Sequence, residues 1–463
     1  MKICYSNHSL SEGRKILIRE KNAPVADGAE VFFTGYPDAK EAILLKKFFC
    51  MEGQKETGSV EIDIELPGLT EEQVKKLADL VILSLHEGAY RFRKDCLRNW
   101  EPQDIYKKRD EMASYGNQEI TLVSAVDLSK VVEESQIAAK CIGYARSLGN
   151  LPHNYLQIPD MVHYASELAK DCGMKCTVLR DKELKELGCG GILAVNKGSD
   201  NEAAMVVLEW GEPSDKEKTA LVGKGLMFDA GGYSIKPLGG MSGMKFDMCG
   251  SANMLESMEI AARLGYKGEL VGIIGLAENL ISPQATKPGD VIHMLAGKSI
   301  EVYNPDAEGR LVLGDALTYV QRMGATRILD MATLTSGVSA ALGKETAGIF
   351  SNDDDMYEEF AKAMKNSAER GWRLPVGDIY GEALLWSNIA DIGNYGLGFE
   401  AGASTAASFL HFFIEEGTKW IHLDVAAAAV ERGDLKERAK GATGVCMKAI
   451  REWLMGGYNE FYI

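Results

Sequence analysis

The segment YNPDAEGR, residues 303–310, sets Asp306, Glu308 and Arg310 at alternate positions, with Pro305 inside the run and Gly309 between the last two charges. Two acids and a guanidinium that converge are the makings of a metal or catalytic site, or of an ordinary ion pair. In an extended chain, residues i, i+2 and i+4 line one face, whereas a helix would splay them around its axis. Pro305 and Gly309 disfavour a helix, so the run is expected to be extended. It joins the apolar stretch 300–303 to a helical spacing of Leu311, Val312, Leu313, Ala316, Leu317 and Val320. Charges this close to a core need partners. Exposed ion pairs are common and cheap, so an isolated DxExR is better explained that way, and a chemical reading requires a second cluster.

That second cluster follows TALVGKG. The segments LMFDAGGYSIKP and MSGMKFDMCGSA bring Lys224, Asp229, Lys236 and Asp247 into 24 residues, loosened by glycines 223, 225, 231, 232, 239, 240 and 243. A glycine-rich loop after a strand suggests phosphate binding, but neither GxxxxGK[ST] nor GxGxxG is present. Asp229, Asp247, Asp306 and Glu308 in one cleft would repel one another prohibitively without neutralising cations. Two divalent ions would serve, and paired metals roughly 3.5–4 Å apart polarise a carbonyl and activate water at neutral pH. None of the seven histidines (8, 86, 153, 163, 293, 411 and 422) falls inside either cluster. The ligands are therefore mostly oxygen, a set that does not single out one metal.

The elements that must position these residues are legible in the apolar pattern. At 463 residues the chain exceeds a single ordinary core and predicts two or more domains. SVEIDIEL alternates Val60, Ile62, Ile64 and Leu66 as a half-buried strand, and region 70–93 carries helix-spaced Val74, Leu77, Ala78, Val81 and Leu85. Segment 118–128 reads as another strand and 129–148 as a long helix, followed by the proline-punctuated NLPHNYLQIP. A boundary is placed there, giving a non-catalytic N-terminal α/β domain over 1–150 and a catalytic domain over 151–463. In the latter, CTVL, AAMVVLEW, TALVGKG, ELVGIIGLAE, RILDMATL, AGIFS and WIHLDVA alternate with helical stretches such as 251–264, 311–323 and 356–368. That is the pattern of a mostly parallel sheet flanked by helices, whose sites lie at the carboxyl ends of strands.

Bulk composition narrows the partners. A net charge of −16 argues against a nucleic acid backbone, and hydrophobic content of 46% with 25% charged residues is that of a soluble globular chain. MKICYSNHSLSEGRK lacks the apolar core of a secretory leader, and no stretch reaches the roughly 20 apolar residues that cross a bilayer. A cytoplasmic location with no membrane partner is expected. The nine cysteines are odd in number, scattered and without a CxxC pair, so they read as buried or free thiols.

The ordered segments VGKG, FDAGGYSIKP, MKFDMCG, NPDAEGRL and DMATLTS resemble the leucine aminopeptidase (cytosol aminopeptidase) family, whose signature reads NTDAEGRL. The likeness extends from about residue 145 to the C-terminus through STAASFL, WIHLDVA and GATG. It implies a metal-dependent aminopeptidase, most simply a homohexamer, acting on peptides with a free N-terminus. Carried over by position, it makes Lys224, Asp229, Asp247, Asp306 and Glu308 ligands of two divalent ions, Zn²⁺ or Mn²⁺, with Mg²⁺ and Co²⁺ as alternatives. Lys224 would bind as a neutral amine, its pKa lowered by cations and burial, where an ordinary salt bridge is the competing reading. The same resemblance makes Lys236 the stabiliser of the oxyanion and Arg310 the anchor of a bicarbonate that acts as general base. Met244, Asn304, Ala307, Thr333 and Leu334 would line the substrate site. Three positions depart from the family pattern: Pro305 stands for threonine, and Cys249 and Ser336 each stand for glycine. Cys249 reads as a small buried hydrophobe before a reactive thiol. A non-catalytic binding or architectural protein and a different two-metal hydrolase, such as a phosphatase, are the alternatives.

Overall fold

The computed structural model describes residues 1–8, 14–19, 29–32, 38–55, 58–64, 66, 68–98, 100–101, 104–212, 217–398, 400–433 and 439–456. Its N-terminal part comprises β1 (Lys2–Ser6), β2 (Arg14–Arg19), β3 (Ala29–Phe32), α1 (Ala39–Gly53), β4 (Ser59–Ile64), α2 (Glu71–Ala89), β5 (Glu119–Val123) and α3 (Ser129–Asn150). The five strands pair in parallel in the order β1-β5-β4-β2-β3. Helix α2 starts where expected because Thr70 and Gln73 form a capping box, each side chain bonding the other's backbone N–H. β4 differs from the half-buried strand expected: all of 60–64 is buried. It lies inside a parallel sheet, and Glu61 on its second face is ion-paired to Lys15 at 2.9 Å rather than solvated.

The C-terminal part runs α4 (Ile158–Cys172), β6 (Lys175–Arg180), β7 (Ala204–Trp210), β8 (Thr219–Asp229), α5 (Cys249–Arg263), β9 (Leu270–Asn279), α6 (Gly309–Arg322), β10 (Arg327–Ala332), β11 (Ala347–Ser351), α7 (Asp354–Asn366), β12 (Gly371–Arg373), α8 (Gly402–His411), β13 (Lys419–Asp424) and α9 (Met447–Met455). All seven apolar runs read as strands are strands. They and β12 form one eight-stranded sheet in the order β12-β11-β13-β10-β8-β9-β7-β6. The four central strands β13, β10, β8 and β9 are parallel, whereas β6 and β7 are antiparallel to their neighbours and β11 is antiparallel to β13. The fold is thus mixed α/β with helices on both faces. One core lies under α3, α4, α5, α7 and α9, and the other under α6 and α8. Burial on both faces is why the strands are continuous apolar runs rather than alternating ones.

Helix α3 packs on α2 and also on α5, and so belongs to both parts. Arg109 from the N-terminal part makes a two-point ion pair with buried Glu259 of α5, at 2.7 and 2.9 Å. Arg146 of α3 donates to Ala442 O and Glu87 O at 2.9 and 3.0 Å. Among the described residues no helix is long and apolar enough to cross a membrane, and all nine cysteines are free thiols.

Candidate active site

The parallel strands β8, β9, β10 and β13 deliver their carboxyl ends to one region, where Asp229 closes β8, Asn279 closes β9, Thr333 follows β10 and Asp424 closes β13. β8 also carries Lys224 five residues earlier, on the wall of the same region. Its Nζ lies 2.8 Å from Asp247 Oδ2 and 3.0 Å from Glu308 Oε1, and donates to Thr333 O at 2.9 Å. Lys224 is 2% exposed. Gly309 makes room for it, since a Cβ there would stand 2.5 Å from Lys224 Cε and 2.7 Å from its Nζ. Burial alone would lower the Lys224 pKa, but Asp247, Glu308 and Asp229 outweigh it and raise it, favouring the ammonium.

The loop after β8 turns through Gly231 and Gly232, both at positive φ, and returns Lys236 to the cluster. Lys236 Nζ lies 2.8 Å from Asp229 Oδ2 and 2.5 Å from Asp306 Oδ1. Burial pulls its pKa down and the charges of Asp229 and Glu308 raise it more, so it too is an ammonium. Asp247 lies in a 3-10 turn, Met244–Met248, and accepts from Thr333 Oγ1 at 2.7 Å. Asp229 Oδ1 accepts from Gly231 N and Asn279 Nδ2 at 2.9 and 2.8 Å.

The 303–310 run is not extended, which corrects the expectation. Asp306 sits in a turn, and Glu308, at φ −84° and ψ −37°, precedes α6, so that Arg310 is the second residue of a helix. Glycine at the first helical position costs little, and the turn closes through Ala307 N on Asn304 O at 2.9 Å. The two acids still converge. Carboxylate oxygens of Asp229, Asp306 and Glu308 all lie within 4.8 Å of one another. Arg310 is buried beside Glu308; its Nη1 donates to Asn394 O at 2.9 Å, while its Nε has no partner among the described residues.

Desolvation, reinforced by the neighbouring Asp229, pushes Glu308 up to about 8. Burial likewise raises Asp247 to about 6 and, with Asp229, pushes Asp306 upward, while burial lowers Arg310 to about 10. Four carboxyls and two lysines thus crowd into one largely buried cluster. Asp247 Oδ2 and Asp306 Oδ1 face a lysine at ion-pair distance yet receive no well-aligned hydrogen bond. Hard carboxylate oxygens with unspent lone pairs are the donor set a divalent cation takes, so the residues fit metal ions. The buried, unspent Nε–H of Arg310 equally fits an anion.

Met244 opens the turn that carries Asp247; Asn304 and Ala307 bracket Asp306; and Thr333 and Leu334 follow β10, with Leu334 N donating to Asp424 Oδ1 at 3.1 Å. Cys249 is buried at the start of α5, where a Cβ on Gly149 would lie 3.0 Å from its Sγ, and burial pushes the thiol up to about 12. That matches the small buried hydrophobe. His422 is committed to Asp330, 2.6 Å away. Sequence reasoning missed Asn279, Asp424 and Asn394. The first two had a signal, a polar residue ending an apolar run; Asn394, between Gly393 and Tyr395, looked like an ordinary turn residue.

An α/β sheet with a carboxylate–lysine cluster at its parallel strand ends has the donor set of a metal centre, the kind of site many hydrolases carry. Residues 143–451, more than half of the chain, match the model of the cytosol aminopeptidase family, catalytic domain, and the chain belongs to that family. Proteins named probable cytosol aminopeptidase are similar to it. That of Chlorobium phaeobacteroides is 42% identical over 367 residues, covering 78% of this chain and 71% of its own. That of Bacillus licheniformis is 38% identical over 369 residues, covering 79% and 74%. That of Chlorobium limicola is 37% identical over 453 residues, covering 96% and 87%. The enzyme is therefore a metal-dependent peptidase that acts at peptide N-termini.

Proposed function

We propose that Lys224, Asp229, Asp247, Asp306 and Glu308 hold two divalent ions, Zn²⁺ or Mn²⁺ before Mg²⁺ or Co²⁺, and that Arg310 holds a bicarbonate. The observation that carries this reading is the largely buried cluster itself: four carboxyls around Lys224 and Lys236, two of their oxygens met only by a lysine, with Arg310 Nε free among the described residues. When bound, the ions supply Lewis acidity and a seat for the substrate's free amine, and the bicarbonate supplies a general base. Lys224 coordinates only as the neutral amine, having given up its ammonium proton. Lys236, whose ammonium is held charged by the acids around it, donates to the oxygen on which negative charge develops. Arg310, rigid at the start of α6, orients its anion through a planar guanidinium. Met244, Asn304, Ala307, Thr333 and Leu334 bind the substrate residue around the scissile bond. Capture of the free amine is what limits cleavage to the first bond.

The reading extends to a domain division at 150/151, a cytoplasmic homohexamer, and peptides rather than nucleic acid or membrane as partners. Its direct test is a calorimetric titration of metal-stripped protein with Mn²⁺ or Zn²⁺. Wild type should take up two ions per chain, and Asp247→Asn at least one fewer. Uptake of a single ion by wild type would refute it.

A further inference from the structure

Asn394 stands outside every motif that marks the centre, yet all the hydrogen-bonding capacity of its side chain is spent on the loop that carries Asp306. Its Oδ1 accepts from Tyr303 N and Asn304 N at 2.9 and 3.1 Å. Its Nδ2 donates to Asn304 O at 2.7 Å and to Ala307 O at 3.4 Å. The side chain is fully buried. Its own backbone completes the link: Asn394 N donates to Glu301 O at 3.0 Å, and Asn394 O receives Arg310 Nη1 at 2.9 Å. On the opposite side Asn279 takes Pro305 O at 3.0 Å while bonding Asp229. Two buried asparagines thus hold the carbonyls of residues 304, 305 and 307.

We infer that Asn394 is a positioning residue of the centre, setting the Asp306–Glu308 loop and the Arg310 guanidinium in register with each other; this deepens, and rests on, the roles proposed above for those three residues. An amide is the side chain this position requires. Two N–H groups converge on one of its atoms and two carbonyls on the other, so two lone pairs and two donors are needed at a single carbon. Aspartate offers no donor to the carbonyls, and alanine removes all four bonds, leaving Asn304 O with Ala307 N alone. Asn394 touches the proposed ligands only through the chain that bears them. It fixes the loop from the segment after the short strand Ile392–Gly393, which itself pairs with Ser299–Glu301. The loop is therefore clamped to a strand pair on one side and to β9 on the other, and cannot shift without opening one clamp.

The test compares Asn394→Ala and the near-isosteric Asn394→Asp with wild type, Arg310→Ala and the Asn394→Ala/Arg310→Ala double variant. Gly88→Ala in α2, remote from the centre, controls for lost stability. The readouts are Mn²⁺ titration of stripped protein and kcat and KM for a leucine anilide. Both Asn394 variants should bind at least one ion about 10- to 100-fold more weakly and lose kcat by a similar factor, with KM changed far less. The double variant should lose less kcat than the product of the single losses, because both substitutions act on one guanidinium. Asn394 variants with wild-type ion affinity and kcat would overturn the inference. So would losses that multiply with those of Arg310→Ala, or that only follow melting temperature as in the Gly88→Ala control. If wild type binds one ion, or Arg310→Ala keeps full kcat, the reading of the centre fails instead, whatever the Asn394 variants do.

Discussion

Arg310 is the residue whose surroundings say most about its work. A buried guanidinium ordinarily meets a carboxylate at short range; this one has given one N–H to a backbone carbonyl and keeps its Nε unspent among the described residues. If it anchors the base, Arg310→Ala should retain both ions and near-normal KM while kcat falls by roughly 10²–10⁴-fold, the range for losing a general base. Added bicarbonate should accelerate wild type and hardly affect the variant. Arg310→Lys should not restore the rate, since an ammonium lacks the planar two-point grip. An Arg310→Ala enzyme with wild-type kcat, measured by steady-state kinetics, would make the residue a support for Glu308. At this scale the sequence was most informative where charge and spacing were unusual, as at Lys224, Asp229 and the 306–310 run. It marked Asn279 only as a polar residue ending an apolar run and was silent on Asn394, because an asparagine's importance lies in which backbone groups it meets, and those lie 26 and about 90 residues away.

The elements explain why some expectations held and others did not. Six of the seven apolar runs of the C-terminal part are strands mostly buried on both faces, and the seventh, CTVL in β6, is a half-buried edge strand. Strand direction at the edges was not legible, since a parallel and an antiparallel edge bury the same side chains. The 303–310 run was misread as extended because proline and glycine were weighed as helix breakers, whereas Pro305 lies in the turn before α6 and Gly309 at its first position, where neither breaks a hydrogen bond. Close approach of elements is another feature that only contact reveals. α1 and α2 cross where Gly88 faces α1 so closely that a Cβ would fall 1.8 Å from Cys50 O, and Gly53 faces Leu85 O at 2.0 Å in the same sense. The obstacle is backbone, so it cannot swing aside. Gly88→Ala should destabilise the protein by about 1–3 kcal/mol or more through overpacking, lowering its melting temperature by several degrees while leaving kcat and KM unchanged. An unaltered melting curve would show that α1 and α2 can separate freely.

Across the whole molecule, the centre depends on contacts that are remote in sequence: four parallel strand ends, the turn before α6, and the 392–396 segment. The N-terminal part is tied to this arrangement by Arg109 on Glu259 and by α3, which packs against both sheets' helices. The resemblance carried by motifs between residues 222 and 444 was enough to find the family, and α3, which ends at Asn150, packs on elements of both parts. The central claim is that divalent ions held by this cluster make the chain an enzyme that removes one residue from a free N-terminus. The most direct measurement is release of leucine from a leucyl peptide and from its N-acetylated counterpart, before and after chelation and with Mn²⁺ or Zn²⁺ restored. The account predicts cleavage of the free peptide alone, its loss on chelation and its return with either ion. Full activity in the stripped protein, or equal cleavage of the acetylated peptide, would contradict it.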